Sequence, residues 1–189
     1  MDIKKITDNF VKIIISPPLG WKKPDFTDFT YKNILFPLLT GILVFTFASR
    51  IVGKSLAYLS VTSIQHIMAY AILSLIVDFV FFICLVLAIN ELLPFYDLKK
   101  NKTKVAVLLL ATISPFYASI IILNIFPSLF FLGIISLYSF YILFWGIRNF
   151  LRIKKDKEII FFIISILLMV GIYLILHFAI IYPFFEFIV

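Results

Sequence analysis

The chain has 189 residues, 63% of them hydrophobic and 14% charged, with a formal net charge of +7. A water-soluble domain carries about a quarter charged and roughly 45–50% apolar residues, so a soluble globule is excluded, as is room for a separate soluble catalytic domain. Cys84 is the single cysteine, which excludes an intramolecular disulfide and a cysteine-based metal site. The basic residues flank apolar segments, a pattern that points to membrane orientation and lipid headgroups and away from nucleic acid.

Residues 1–32 form a cytoplasmic amphipathic segment. Ile3, Ile6, Phe10, Ile13 and Ile14 recur at helical spacing, while Lys4, Lys5, Asp8, Asn9 and Lys12 take the other face. Such a helix is expected to lie in the headgroup plane with its apolar stripe down. Ser16-Pro17-Pro18 stops it, and Trp21 is placed as an interfacial anchor. No small-residue cleavage site follows a clean apolar stretch, so the N-terminus is expected to be retained.

Residues 33–189 are expected to form the membrane domain. A spanning helix needs about 20 apolar residues. The first span is read as 33–53, with Arg50 snorkelling from near its end to the interface. The polar stretch from Gly53 to Gln65 (Lys54, Ser55, Ser60, Thr62, Ser63) reads as an interfacial loop. The second span, 65–93, contains a lone Asp78 and exceeds the bilayer thickness, which predicts tilt or protruding ends. From Val105 to Ile147 the chain runs 43 residues without Asp, Glu, Lys or Arg. One helix of that length would measure about 64 Å, so the segment must fold back. Asn124 and Pro127 mark the turn, because Pro fits the first turn of a new helix. The third and fourth spans are therefore 105–125 and 127–147, and the fifth is 159–185.

Lysine and arginine orient these spans. One side holds 15 of the 17 basic residues and the other only Arg50 and Lys54. The rich side includes Lys4, Lys5, Lys12, Lys99, Lys100, Arg148, Arg152, Lys154 and Lys155, which are expected to meet anionic headgroups. The positive-inside rule puts that side in the cytoplasm, with the N-terminus, and the C-terminus opposite. In a prokaryote this would be the plasma or inner membrane.

Few residues suggest chemistry. Asp78 sits mid-helix, where a charge costs at least a few kcal/mol. It reads either as a proton, ion or ligand site, or as a protonated acid hydrogen-bonded to a neighbouring helix. Ser114, Tyr117, Ser136, Ser139 and Tyr141 are its candidate partners, and no base is expected at its depth. Pro115 should free a backbone carbonyl and kink the third span; with Asp78, Ser114 and Tyr117 it makes up the candidate polar site. Asn90 and Glu91 read as a solvated cap beside the following lysines. His66 and His177 lack the companions of a metal set. The motifs of metalloproteases, nucleotide binders and intramembrane aspartyl enzymes are absent. No catalytic, cofactor or metal residue is therefore assigned, and the chain is read as a non-enzyme.

Several segments resemble the Yip (Ypt-interacting protein) domain family in its compact prokaryotic form. They are the step from Pro17 to Trp21, the run Ala111-Thr112-Ile113-Ser114-Pro115, the turn Phe126-Pro127, and the Tyr-bearing helix from Ser136 to Ile147 with Gly146 before a basic loop. The resemblance covers nearly the whole chain. It implies five spans and a cytoplasmic N-terminus, and its eukaryotic members are implicated in trafficking and contact small GTPases and one another. Their Asp-Leu-Tyr-Gly-Pro signature is missing here and residues 1–32 are short for a partner-binding domain, so no functional residue carries over.

The fold expected is thus all-α, a polytopic bundle of five transmembrane helices with an N-terminal amphipathic interfacial helix. The expected function is that of a membrane-organising or protein-interaction factor, with other membrane proteins in homo- or hetero-oligomers as partners. The alternative is a small transporter or channel component using Asp78.

Overall fold

The computed structural model describes residues 3–22, 36–58 and 63–183, with side chains from residue 8 onward. The expected start of the first span at Asn33, Ser60 and Thr62 of the expected loop, Lys23, Lys32, the end of the last span at Phe185, and the side chains of Ile3, Lys4, Lys5 and Ile6 lie outside the described residues.

Every regular element among the described residues is helical. Helix α1 (Ile3–Ile15) and the short α2 (Pro17–Gly20) precede five long helices. These are α3 (Phe36–Tyr58), α4 (Ile64–Leu92, continued by a 3₁₀ turn at Leu93–Tyr96) and α5 (Lys102–Ile125). Next comes α6 (Pro127–Leu151), a 3₁₀ run over Pro127–Leu137, an α-helix over Tyr138–Gly146 and a π turn over Ile147–Leu151. Last is α7, α-helical over Glu158–Leu176 and closing in a π turn at His177–Ile181. All five long helices are long and apolar enough to cross a membrane.

Helix α5 is the centre of the bundle. Every residue from Val105 to Ile113 is buried, as expected for a helix that is apolar all round. Asn101 caps its start, its side chain accepting a hydrogen bond from the Lys104 N–H at 2.9 Å. Helix α5 continues through Pro115 to Ile125. Phe126 alone then links it to α6, which packs back along it. The forced reversal thus falls at Asn124–Pro127, with Pro127 at the start of the new helix.

Helices α3 and α4 form an antiparallel pair in which the Lys54 ammonium lies 5.3 Å from the centre of the Tyr70 ring. Helix α3 runs five residues past Gly53, where the sequence suggested its end, so Lys54 and Ser55 are helical and not in a loop. Gly53 meets the Asn124 backbone, so the outer turns of α3 and the start of α4 stand beyond the α5–α6 turn. At 29 residues α4 measures about 43 Å, and its excess length emerges there. Helix α7 packs mainly on α4 and is the most exposed of the five.

The other end of the bundle gathers the basic loops. Two reversals there use left-handed residues, Asp97 (φ 62°) and Arg152 (φ 61°). Asp97 joins the α4–α5 and α6–α7 connections by accepting from Lys154 at 2.8 Å and Lys157 at 3.4 Å. Hydrogen bonding and charge from Lys154, then Lys157, hold the Asp97 carboxyl below the ordinary aspartate range. A depressed folded value means stabilisation present above the unfolded value of about 3.9 and lost as pH falls through the folded one. The two loops should therefore exchange amide hydrogens faster, relative to intrinsic rates, below about pH 4. The effect should be small and salt-sensitive, because the pair is exposed. Glu91 pairs with Lys100, as the solvated-cap reading of Glu91 allows. Asn90, read as part of that cap, is instead buried with Oδ1 unpaired.

The N-terminal helices depart from expectation in one respect. Phe10 and Ile13 are buried, and Trp21 is fully buried in place of anchoring at an interface. Trp21 stacks on Phe150 with ring centres 5.0 Å apart, in a seat that Gly146 leaves open. The Tyr138 hydroxyl donates to the Ile14 carbonyl at 2.8 Å, and the Asn149 amide to the Pro18 carbonyl at 3.3 Å. The described part of the α1 stripe, Phe10, Ile13 and the partly buried Ile14, is thus spent on the protein itself. Val11, Ile15 and Leu19 remain exposed.

Candidate functional site

Asp78 lies midway along α4, about 21 Å from either end. Tyr117 and Tyr173 stand 15 residues into α5 and α7, about 22 Å from the basic end. All three therefore fall in one layer of the bundle. Arg50 enters it from α3. Since Lys54 meets Tyr70, Arg50 stands opposite Ser74, one turn beyond Asp78. Helical side chains lean toward their own N-terminus, which carries the Arg50 guanidinium back to that layer. Arg50 Nη1 donates to Asp78 Oδ2 at 2.6 Å, with both side chains almost completely buried.

This pair corrects the sequence reading twice. Arg50 does not snorkel to an interface, and Asp78 does have a base at its depth. The misplacement followed from ending the first helix at Gly53. Because α3 continues to Tyr58, Arg50 lies two turns inside it. Of the expected partners, Ser114 and Ser136 close onto the Leu110 and Gly133 carbonyls, and Tyr141 is exposed. Ser139 is buried without a partner. Tyr117 alone reaches the pair: its buried hydroxyl couples electrostatically to Asp78 and Arg50 without full hydrogen-bond geometry. Tyr70 and Tyr173 are also close enough to feel the charges, as is His177, stacked on Tyr173 at 4.2 Å.

A stripe on α3 supports the pair. Leu39, Leu43, Thr46, Arg50 and Gly53 recur at alternating spacings of four and three and are all buried, which keeps one face against α4 and α5. The Thr46 hydroxyl donates to the Ile42 carbonyl and the Ser49 hydroxyl to the Thr46 carbonyl. The Asn124 amide then donates to Ser49 Oγ at 3.0 Å. A Cβ on Gly53 would fall 1.8 Å from the Asn124 carbonyl oxygen, so the two backbones touch. Gly53→Ala should destabilise the protein by about 1–3 kcal/mol through overpacking, read as a lowered unfolding midpoint. An unchanged midpoint would mean that this contact is not close in the folded protein.

The sequence reading missed Ser49, Gly53 and Asn124 as members of this site. Their signal is the run of small and polar residues at helical spacing through Arg50. Other assigned residues lie elsewhere. Lys99, Lys100, Arg152, Lys154 and Lys155 are exposed at the basic end. Arg148 lies there too, over the Trp145 ring at 5.6 Å and 3.9 Å from Glu158. Lys12 is on the exposed face of α1. His66 contacts Ser63 Oγ at 3.0 Å at the start of α4. No group of three or more His, Cys, Asp or Glu that could hold a metal occurs among the described residues.

Chemically, the paired charges make a neutral layer, since Asp78 takes the charge of Arg50. Their 2.6 Å contact ties α3 to α4. The chain matches no family model, no curated protein and no solved structure.

Proposed function

We propose that this chain is an integral membrane protein with a cytoplasmic N-terminus and the opposite C-terminus, a non-enzymatic factor of the Yip type that organises membrane or other membrane proteins. The observation that supports this reading is the separation of its charges. Within the bundle Arg50 and Asp78 cancel, whereas the end carrying residues 91–104 and 148–158 has nine Lys and Arg against four acids. A surplus of that kind suits anionic headgroups or an acidic partner. The outer faces of the helices, including Ile163, Leu167 and Leu174 of α7, are apolar and exposed, as lipid or a neighbouring helix requires.

Two measurements test it. With the half-buried Cys84 replaced by alanine, a cysteine introduced at Val189 should react with an impermeant reagent only from outside; reaction from the cytoplasmic side overturns the topology. Chemical cross-linking in vesicles should trap the chain with itself or with another membrane protein. A strictly monomeric chain without any co-purifying partner would count against an organising role.

A transport component is the second reading, favoured by a groove of about 330 Å³ between α3 and α5 that reaches Tyr117, the neighbour of Asp78. Under it, Asp78→Asn abolishes a flux or a pH-dependent phenotype in a protein that still folds. An unchanged phenotype removes the idea.

A further inference from the structure

The helix macrodipole makes the first turn of a helix a place for acids and the last turn a place for bases. Helices α6 and α7 follow that rule at the basic end, with Arg148 in the closing turn of one and Glu158 opening the other. Helix α5 reverses it. Its first turn holds Lys102 and Lys104 and no acid. A long helix adds about half a positive charge of its own at that end, so positive charge gathers there that nothing in α5 balances.

The neighbouring loops do not balance it either. Their four acids are engaged elsewhere: Glu91 with Lys100, Asp97 with Lys154 and Lys157, Glu158 with Arg148, and Asp156 beside Lys154. The Lys104 ammonium lies 5.1 Å from the centre of the Phe150 ring, on which Trp21 stacks. Arg152 follows Phe150 by two residues at the left-handed reversal, near enough for Lys104 to feel its charge. Neither cation forms an ion pair among the described residues. Lys104 is half-buried and Arg152 exposed, which distinguishes this pair from a scatter of solvated lysines. Like charges held together repel, and an oxyanion between them replaces that repulsion with charge-assisted hydrogen bonds.

We infer that Lys104 and Arg152 bind a phosphate monoester, carried either by a lipid of the phosphatidic acid class or by a soluble phosphate ester. The charge count favours a monoester over the singly charged diester of other headgroups. A monoester carries about −1.5 to −2 at neutral pH, and the two cations with the helix end offer about +2.5. The planar fork of Arg152 suits two of its oxygens, and Lys104 offers a point charge to a third. This site rests on the proposed affinity of the basic end for anions and narrows it to two residues.

The test uses the full chain in detergent with dioctanoyl phosphatidic acid, dioctanoyl phosphatidylglycerol and glycerol 3-phosphate as probes, read by native mass spectrometry. One phosphatidic acid should bind saturably, about three- to tenfold more tightly than phosphatidylglycerol. Lys104→Gln and Arg152→Gln should each weaken it about five- to tenfold, while Lys104→Arg retains it. Lys155→Gln, which removes an exposed charge three residues from Arg152, should change it by less than about twofold. Circular dichroism establishes that each variant is folded, and the exposed Arg152 serves if the Lys104 variants are not. Glycerol 3-phosphate binding more weakly than the lipid, with the same dependence on both residues, assigns the site to a headgroup; equal affinity assigns it to a soluble ester. Absence of saturable binding of any probe, or equal binding of phosphatidic acid and phosphatidylglycerol, would overturn the inference. Equal losses in the Lys104, Arg152 and Lys155 variants would overturn it too, while leaving a diffuse attraction of the basic end for anions intact.

Discussion

Asp78→Leu is expected to destabilise the folded chain by about 3–5 kcal/mol, because it strands the Arg50 guanidinium in the bundle without its carboxylate. The pair is buried on both sides, and among the described residues its 2.6 Å contact is the only ion pair that either side chain makes. Arg50→Leu should cost a similar amount for the mirror-image reason. The double variant Arg50→Leu/Asp78→Leu should recover most of the loss, since apolar residues of comparable volume often replace a buried pair without penalty. Unfolding midpoints of the four proteins in one detergent form the required cycle. Additive losses, with a double variant as unstable as the sum of the singles, would show that the two charges do not depend on each other. A double variant that folds also isolates the second functional reading, because it removes Asp78 while keeping the bundle.

Trp21→Ala should rank next. Removing a fully buried aromatic costs about 3–5 kcal/mol, and Trp21 is fully buried against Phe150 and Gly146. The loss should fall locally. Helices α1 and α2 are held to the bundle by this ring, the Ile13 side chain and two side chain-to-backbone hydrogen bonds, whereas the five long helices pack without them. Hydrogen exchange over residues 3–22 should therefore accelerate by two or more orders of magnitude, while exchange in α4 and α5 stays unchanged. Equal acceleration throughout would mean that the N-terminal segment is integral to the bundle's stability. No acceleration anywhere would refute the burial of Trp21.

Much of this architecture is legible because charge interrupts apolarity so cleanly. Lys99 to Lys104 and Arg148 to Glu158 bracket α5 and α6, and a 43-residue uncharged run has to turn. Pro127 then says where. The interior is legible only in part. Asp78 stands out by its type, but its partner depends on where α3 ends, and glycine is a poor stop signal when its missing Cβ serves a close crossing. Gly53 serves the crossing with Asn124, so reading it as an end displaced Arg50 to the surface. Trp21 failed for a different reason. Tryptophan suits both an interface and a well-packed seat, and the seat is built by Gly146 and Phe150, more than 120 residues away in sequence. Nothing local announces such a partner. The 3₁₀ run of α6 was equally hidden, since Pro127–Leu137 has the composition of an ordinary apolar helix.

The position of the Arg50–Asp78 pair also bears on how such a chain would be made. The two residues belong to successive helices joined by a short connection. Inserted alone, either helix would present a bare charge to hydrocarbon, at about 2.5–3.5 kcal/mol each on biological insertion scales. Emerging together, they neutralise one another before lipid meets either. On the membrane reading, α3 would therefore wait for α4 during synthesis, and the hairpin, with neither helix ahead of the other, would be the unit that enters the bilayer.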